Sequence, residues 1–210
     1  VELIANAERM VLISAPFGVD KRMLDAMENN PRTKIEYGLA NSTAKAKIKT
    51  LRHHSTRFFP PSKLKTFRGE RWDAKAFGAH KIHAKTIIVD PYGDNPKVLI
   101  GSANFSNASC KDNDENAMLI VGNKRLAAVL ATEFMRMYEH YRARYYISEN
   151  ELRNKKIRKQ NKILMADGKP TKPERTINRH LIDGDEWSDT SFNPASNSRK
   201  FRDRIAFAGQ

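Results

Sequence analysis

Cysteine, tryptophan and negative charge are all scarce in this sequence of 210 residues. There is one cysteine, Cys110, and there are two tryptophans. A single thiol excludes an intrachain disulfide and a thiolate metal cluster. It fits a reducing compartment, so a cytoplasmic protein is expected, with Cys110 a passenger. No run of ~18 apolar residues occurs, so no membrane-spanning helix is encoded. An initiator methionine is missing too, because the chain opens on VELIANAERM. A fragment or processed product is expected, and the lack of a leader carries no weight. Asp and Glu number 24 against 38 Lys and Arg, for a net charge of +14. That imbalance favours a polyanionic partner, nucleic acid or an anionic lipid surface, over charge that only keeps the protein soluble.

What is there suits a globular chain: 40% hydrophobic and 30% charged residues, enough for one core with an appendage. ELIANA reads as the end of a helix. RMVLISAPF, bounded by Pro16 and Gly18, reads as a buried strand. Asp20 is placed to cap a helix over DKRMLDAMEN, with Met23, Leu24 and Met27 as its inner stripe. TKIEYGLA alternates Ile35, Tyr37 and Leu39, which predicts a strand with one buried face. Strand, helix and strand in this order mark a parallel α/β unit. STAKAKIKTLRHH reads as a solvated helix with Ile48 and Leu51 inside. KIHAKTIIVD, KVLIGSANFS and NAMLIVG read as three further strands, the first two joined by the turn-rich PYGDNP.

Asn123 then caps a long amphipathic helix whose core stripe is Leu126, Leu130, Phe134, Met137, Tyr141 and Tyr145. From about Ser148 the chain turns strongly basic. A second helix with a basic face is expected there, then a Gly/Pro linker and a tail carrying Trp187, Phe192, Phe201 and Phe207. The fold class is α/β, a mixed sheet flanked by helices. Two units are expected: residues 1–147 as a catalytic domain, and residues 148–210 as a basic C-terminal helix, linker and tail.

The chemistry concentrates between residues 83 and 115. Side chains alternate along a strand, so His83 and Lys85 share a face with Ile87 and Val89, while Ala84, Thr86, Ile88 and Asp90 share the other. The pair stands at a strand's head, and α/β sheets place working groups at strand ends. An imidazole can act as nucleophile or proton carrier near neutral pH, and a lysine beside it offers a fixed positive charge. GSAN adds Gly101, where a ligand can approach the backbone, and Ser102 and Asn104, two apart and aimed together.

A cation, a hydroxyl and an amide around one histidine make a phosphate-sized anion site. Phosphoryl transfer needs mainly positioning and charge stabilisation, which those groups supply. A carboxylate on the second ring nitrogen would hold the tautomer. Glu115 in NDENAML is the candidate, and Asp90, aimed away from His83, is given a structural role. Upstream, RFFPPSKLKTFRGERW interleaves Lys63, Lys65 and Arg68 with aromatics. That pattern suits substrate phosphates and stacked bases, and it suits a core-capping loop with buried aromatics equally.

In order, these are H-x-K-x4-D at His83, Lys85 and Asp90, G-S-x-N at residues 101–104, and N-x-E at Asn113 and Glu115. Together they resemble the phospholipase D superfamily, over roughly residues 1–147. The resemblance implies a phospholipase D-like fold and a phosphodiesterase or phosphatidyl transferase that works without metal or cofactor. It implies that His83 forms a phosphohistidine or protonates the leaving oxygen. Lys85, Ser102 and Asn104 would hold the phosphate oxygens, and Glu115 would orient the imidazole. Family members bring two such motifs together, and this sequence carries one. The second would come from a homodimer, or from a missing N-terminal half of which this chain is the C-terminal counterpart. The stretch between Asp90 and Gly101 is longer than in compact members and leaves the site residues intact.

Other readings carry less. His80 and His83, as an H-x-x-H metal pair, would face opposite sides of a strand and lack further ligands. His53 and His54 are adjacent and point apart. Asp112, Asp114 and Glu115 lack the spacing of a calcium loop. Three functions stay open. A nuclease on DNA or RNA ranks first on charge. A phospholipase D-type lipid hydrolase or transphosphatidylase ranks second, because no interfacial amphipathic helix stands out. A nucleic-acid binding module without turnover ranks third, since the motifs are intact.

Overall fold

The computed structural model describes residues 1–33, 35–41, 57–60, 82–106, 109, 112–177, 184–196 and 198–208. Its strands are β1 (Met10–Ser14), β2 (Ile35–Leu39), β3 (Arg57–Phe59), β4 (Lys85–Val89), β5 (Lys97–Gly101) and β6 (Ala117–Val121). They form one sheet in the order β3-β2-β1-β4-β5-β6. β1 pairs parallel with β2, and β2 with β3, whereas β1–β4, β4–β5 and β5–β6 are antiparallel. This is the expected mixed α/β sheet.

The parallel half arises from a helical crossover. After a short α1 (Glu2–Ala5), β1 leads into α2 (Lys21–Glu28), and Met23, Leu24 and Met27 are its buried residues. Asp20 caps α2 by accepting from Arg22 N at 2.9 Å. Hydrogen bonding from Arg22 holds the Asp20 carboxyl below its usual value. The antiparallel half arises from the tight turn after β4, closed by Gly93 N donating to Asp90 O at 2.9 Å.

Strand alternation builds two cores. Met10, Leu12, Tyr37 and Ile88 face helix α3 (Lys124–Ala166), meeting Phe134 and Tyr138. Val11, Ile13, Ile87 and Val89 face the other way, with Met23 and Met27. β2 departs from the expected single buried face, because all five of its residues are buried. It lies inside the sheet, with a core on each side. Glu36 is accommodated there by a 2.9 Å bond from Thr33 Oγ1.

The inner stripe of α3 is Ala127, Ala131, Phe134 and Tyr138. Leu130, Met137, Tyr141 and Tyr145 of the expected stripe flank it, half-buried. Alanines let the helix lie close on the sheet, and Tyr138 then stacks on Tyr37 at 4.3 Å. Phe58 and Phe59 are core residues, so this part of the aromatic–basic stretch packs rather than binds. Lys63, Lys65, Arg68, His80, Cys110 and the helix expected over 42–54 lie outside the described residues.

The two helices expected on either side of Ser148 are one helix of 43 residues. No glycine or proline interrupts it, so nothing ends it at the change of composition. The boundary drawn at 147 therefore falls inside α3. The Gly/Pro stretch beyond does not hang free but folds back along the helix. Of the tail, α4 (Glu186–Phe192) precedes α5 (Arg199–Phe207). α5 docks on the core through Ala206 and Phe207, and the Tyr37 hydroxyl donates to Asp203. Among the described residues no helix is long and apolar enough to cross a membrane.

Candidate active site

Lys85, Gly101 and Ala117 stand side by side across β4, β5 and β6. β1 finishes at the same end of the sheet, with Ser14 opposite Thr86. Residues far apart in sequence are thereby gathered. His83 lies two residues before β4, Ser102 one residue after β5, and Glu115 two residues before β6.

Lys85 is buried although it heads its strand. Its ammonium lies 2.9 Å from His83 Nε2 and 3.2 Å from Nδ1, and it donates to the His83 carbonyl at 3.0 Å. A neutral imidazole has one accepting nitrogen, so the tautomer decides which of the two contacts is a hydrogen bond. The ring itself is exposed. Phe17 stands beside it, edge-on to His83 at 6.2 Å, with the Lys85 ammonium 5.9 Å from its centroid. Phe17 lies outside the motifs that mark the site in the sequence. The signal was present: an aromatic in the loop straight after β1, at the strand end where the motifs collect.

Ser102 and Glu115 form a second cluster. The Ser102 hydroxyl donates to Glu115 Oε2 and accepts from Asn116 N at 3.1 Å, while Asn113 Nδ2 donates to Glu115 Oε1 at 3.4 Å. Glu115 makes no hydrogen bond to His83 among the described residues, contrary to the imidazole-orienting contact expected of it. The register explains this: Ser102 and Glu115 extend the neighbouring strands β5 and β6, whereas His83 extends β4. Gly101 also has a structural reason to lack a side chain. A Cβ there would lie 2.3 Å from Asn116 O, so the absent side chain admits the backbone leading into β6. Asn104 is half-buried, and its Oδ1 has no hydrogen-bond partner among the described residues. The neighbouring Phe105 carbonyl accepts from Asp20 N at 2.9 Å, tying the G-S-x-N loop to the start of α2.

Asp90 sits at the far end of β4. Its carboxylate accepts from Glu8 N at 2.8 Å, Arg9 N at 2.8 Å and Met10 N at 2.7 Å. Its φ of 48° is a conformation that Asp tolerates better than most residues. Asp90 N donates in turn to Met10 O at 2.9 Å, so the start of β1 is pinned to the end of β4. A cavity of ≈ 770 Å³ opens at this end, lined in part by Asp90, Tyr92, Asp94 and Lys97, and not around His83. The chemistry of the residues, rather than concavity, marks the His83 end as the candidate site.

Residues 1–138 match the family model described as cardiolipin synthase, PLD-like domain. The chain belongs to the phospholipase D superfamily. NucT from Helicobacter pylori superposes with a TM-score of 0.50 at 18% identity, over 66% of this chain and 84% of that one. Nuc from Salmonella typhimurium, a phospholipase D family member, does so with a TM-score of 0.49 at 18% identity, over 67% and 84%. At such identity the NucT likeness bears on the fold alone. No curated protein sequence matches the chain. In this phospholipase D-superfamily member the H-x-K, G-S-x-N and Glu115 motifs all fall inside the matched region, and the basic half of α3 falls outside it.

Proposed function

We propose that this protein is a metal-independent phosphodiesterase that cleaves nucleic acid through His83, in a site completed by a second motif-bearing half. The observation that carries the reading is the buried Lys85 ammonium against His83, beside Ser102, Asn104 and Glu115 at one sheet end. In the proposed reaction the unprotonated His83 nitrogen attacks phosphorus and a P–N bond forms. The P–O bond to the leaving group breaks, and that oxygen takes a proton from the second motif's histidine. The same histidine then deprotonates water, which attacks phosphorus and releases His83. With the roles exchanged, His83 is the proton carrier and the second histidine attacks. Lys85, Ser102 and Asn104 offset the charge on the non-bridging oxygens. Glu115 holds the Ser102 hydroxyl proton in the resting site, and that single proton turns to the phosphate when substrate binds. Phe17 offers a ring on which a base can stack.

Two observations support the finer points. The net charge of +14 favours a polyanionic substrate. β6, which follows Glu115 directly, is an edge strand with Met118 62%, Leu119 50% and Val121 53% exposed. Such a face suits a second half brought up beside the site. That half is a second copy of this chain or a further segment of a longer one, and light scattering separates these, since the first requires a dimer.

The direct test incubates the protein with DNA, RNA and phosphatidylcholine vesicles, with and without EDTA. DNA or RNA should be cleaved with EDTA present. His83→Asn should lower turnover roughly 1,000-fold or more while DNA affinity stays within about threefold. Turnover of lipid alone would replace the nuclease reading with phosphatidyl transfer. Binding without turnover of any phosphodiester would leave a nucleic-acid binding module.

A further inference from the structure

The basic half of α3 takes no part in the site. The described aromatic contacts of α3 to the sheet end with Tyr145 and Tyr146, which meet Phe59 at 5.4 and 5.7 Å. Residues 147–166 continue for about 30 Å at 1.5 Å per residue. Most helical stability in proteins comes from packing, and this segment lies beyond those sheet contacts. Here the chain's own return segment holds it. Gly168, at φ 66°, reverses the chain. Gly168 N donates to Met165 O at 3.2 Å and Lys169 N to Leu164 O at 2.8 Å, the paired bonds of a Schellman cap.

The returning strap is then clamped twice. Asn161 donates to Lys172 O at 2.9 Å and accepts from Lys172 N at 2.8 Å. Asn154 donates to Arg175 O and accepts from Arg175 N, both at 2.8 Å. Between the clamps Glu174 takes both arms of Arg158, at 2.8 and 2.7 Å. The spacing makes this possible. Seven helical residues rise about 10.5 Å, and three extended residues cover about 10 Å. Pro170 and Pro173 keep the strap out of any helix.

The strap sorts the charges. It covers the side of the helix that carries Asn154 and Asn161. Lys155, Lys156, Lys159 and Lys162 are exposed, and the helical rotation of about 100° per residue sets them about 80° to 200° around the helix from Asn154, on the flank of the strap and the side away from it. None of the four has an ion-pair partner among the described residues. Residues 153–175 hold nine Lys and Arg against Asp167 and Glu174, a net +7, half of the whole chain's +14.

We propose that this helix-and-strap arm is a phosphate-backbone clamp, in which Lys155, Lys156, Lys159 and Lys162 hold nucleic acid at a distance from His83. The choice of partner rests on the nuclease reading above. The surface itself lies outside the matched family region. Lysine ammoniums act as point charges on phosphates and read no bases. The four span about 10 Å of helix, about three base-pair steps. An anionic membrane fits less well. The face exposes Leu152 and Ile163, but they stand three helical turns apart with lysines between them, and interfacial helices need a continuous apolar stripe.

The test replaces Lys155, Lys156, Lys159 and Lys162 together by Gln in a His83→Asn background, so that cleavage does not interfere. Gln keeps the helix propensity of Lys, and far-UV circular dichroism checks that helicity is retained. Binding to a fluorescent 30-base-pair DNA duplex is followed by anisotropy from 50 to 200 mM salt. The slope of log affinity against log salt should fall by about three to four, with affinity at 100 mM salt at least about tenfold weaker. A set of four Lys→Arg changes should keep the parent slope. An unchanged slope in the Gln variant overturns the proposal, as does loss of binding in the Arg variant. Unchanged DNA binding with lost binding to phosphatidylserine vesicles overturns it in favour of a membrane. A reduced slope in a protein that turns over only lipid leaves the clamp standing and removes the nuclease reading. DNA cleavage with an unchanged slope does the reverse.

Discussion

KTIIV in β4 and AMLIV in β6 look alike as sequences, and AMLIV, having no charge, looks the deeper of the two. The fold orders them the other way. β4 lies between β1 and β5 with a core on each face, and Ile87, Ile88 and Val89 are 3%, 1% and 1% exposed. β6 forms the sheet's edge beyond β5, and Met118, Leu119 and Val121 are at least half exposed. Apolar composition makes each segment a strand, and place in the sheet decides what the strand buries. Among the described residues too little packs on β6 beyond β5 to cover it. An uncovered apolar edge is a surface that seeks a partner.

This contrast can be broken or sharpened. Ile88→Ala should cost about 3 kcal/mol in urea unfolding, and a cost below about 1 kcal/mol would mean β4 is not packed on both faces. Asp90→Ala should cost about 2 kcal/mol, because three backbone N–H groups lose their acceptor. Asp90→Asn, which keeps one accepting oxygen, should recover part of that; full loss in both variants would mean that charge rather than hydrogen bonding does the pinning. Replacing Met118 and Leu119 together by Ser should change the unfolding free energy of the lone chain by less than about 0.5 kcal/mol, while removing association with a second motif-bearing half. A cost as large as that of Ile88→Ala would show β6 to be buried within one chain.

Much of this was legible beforehand. The positions of β1, β2, β4, β5 and β6, the Asp20 cap, the parallel β1–β2 pair and the β4–β5 turn follow from periodicity and turn residues, which act locally; β3, only three residues long, shows no alternation and reads as part of a basic–aromatic loop. The gathering of His83, Ser102 and Glu115 at one end of the sheet follows from strand direction. What stayed hidden depends on register and layering. That Glu115 would meet Ser102 and not His83 is set by which strands are neighbours. Gly101's close contact with Asn116 needs β6 in place; the change of composition at Ser148 suggests a break in α3 that no glycine or proline is there to make. β2 looked half-exposed because alternation cannot reveal that both faces of a strand are covered.

The clamps at Asn154 and Asn161 repeat at seven residues on the helix and three on the strap. The two runs stay in step only if they lengthen together, ten residues at a time. A single residue added between Lys172 and Arg175 would shift one clamp off its asparagine and leave a paired amide facing nothing. The clamped part of the arm is therefore quantised: each further asparagine clamp of this kind lengthens it by about 10.5 Å.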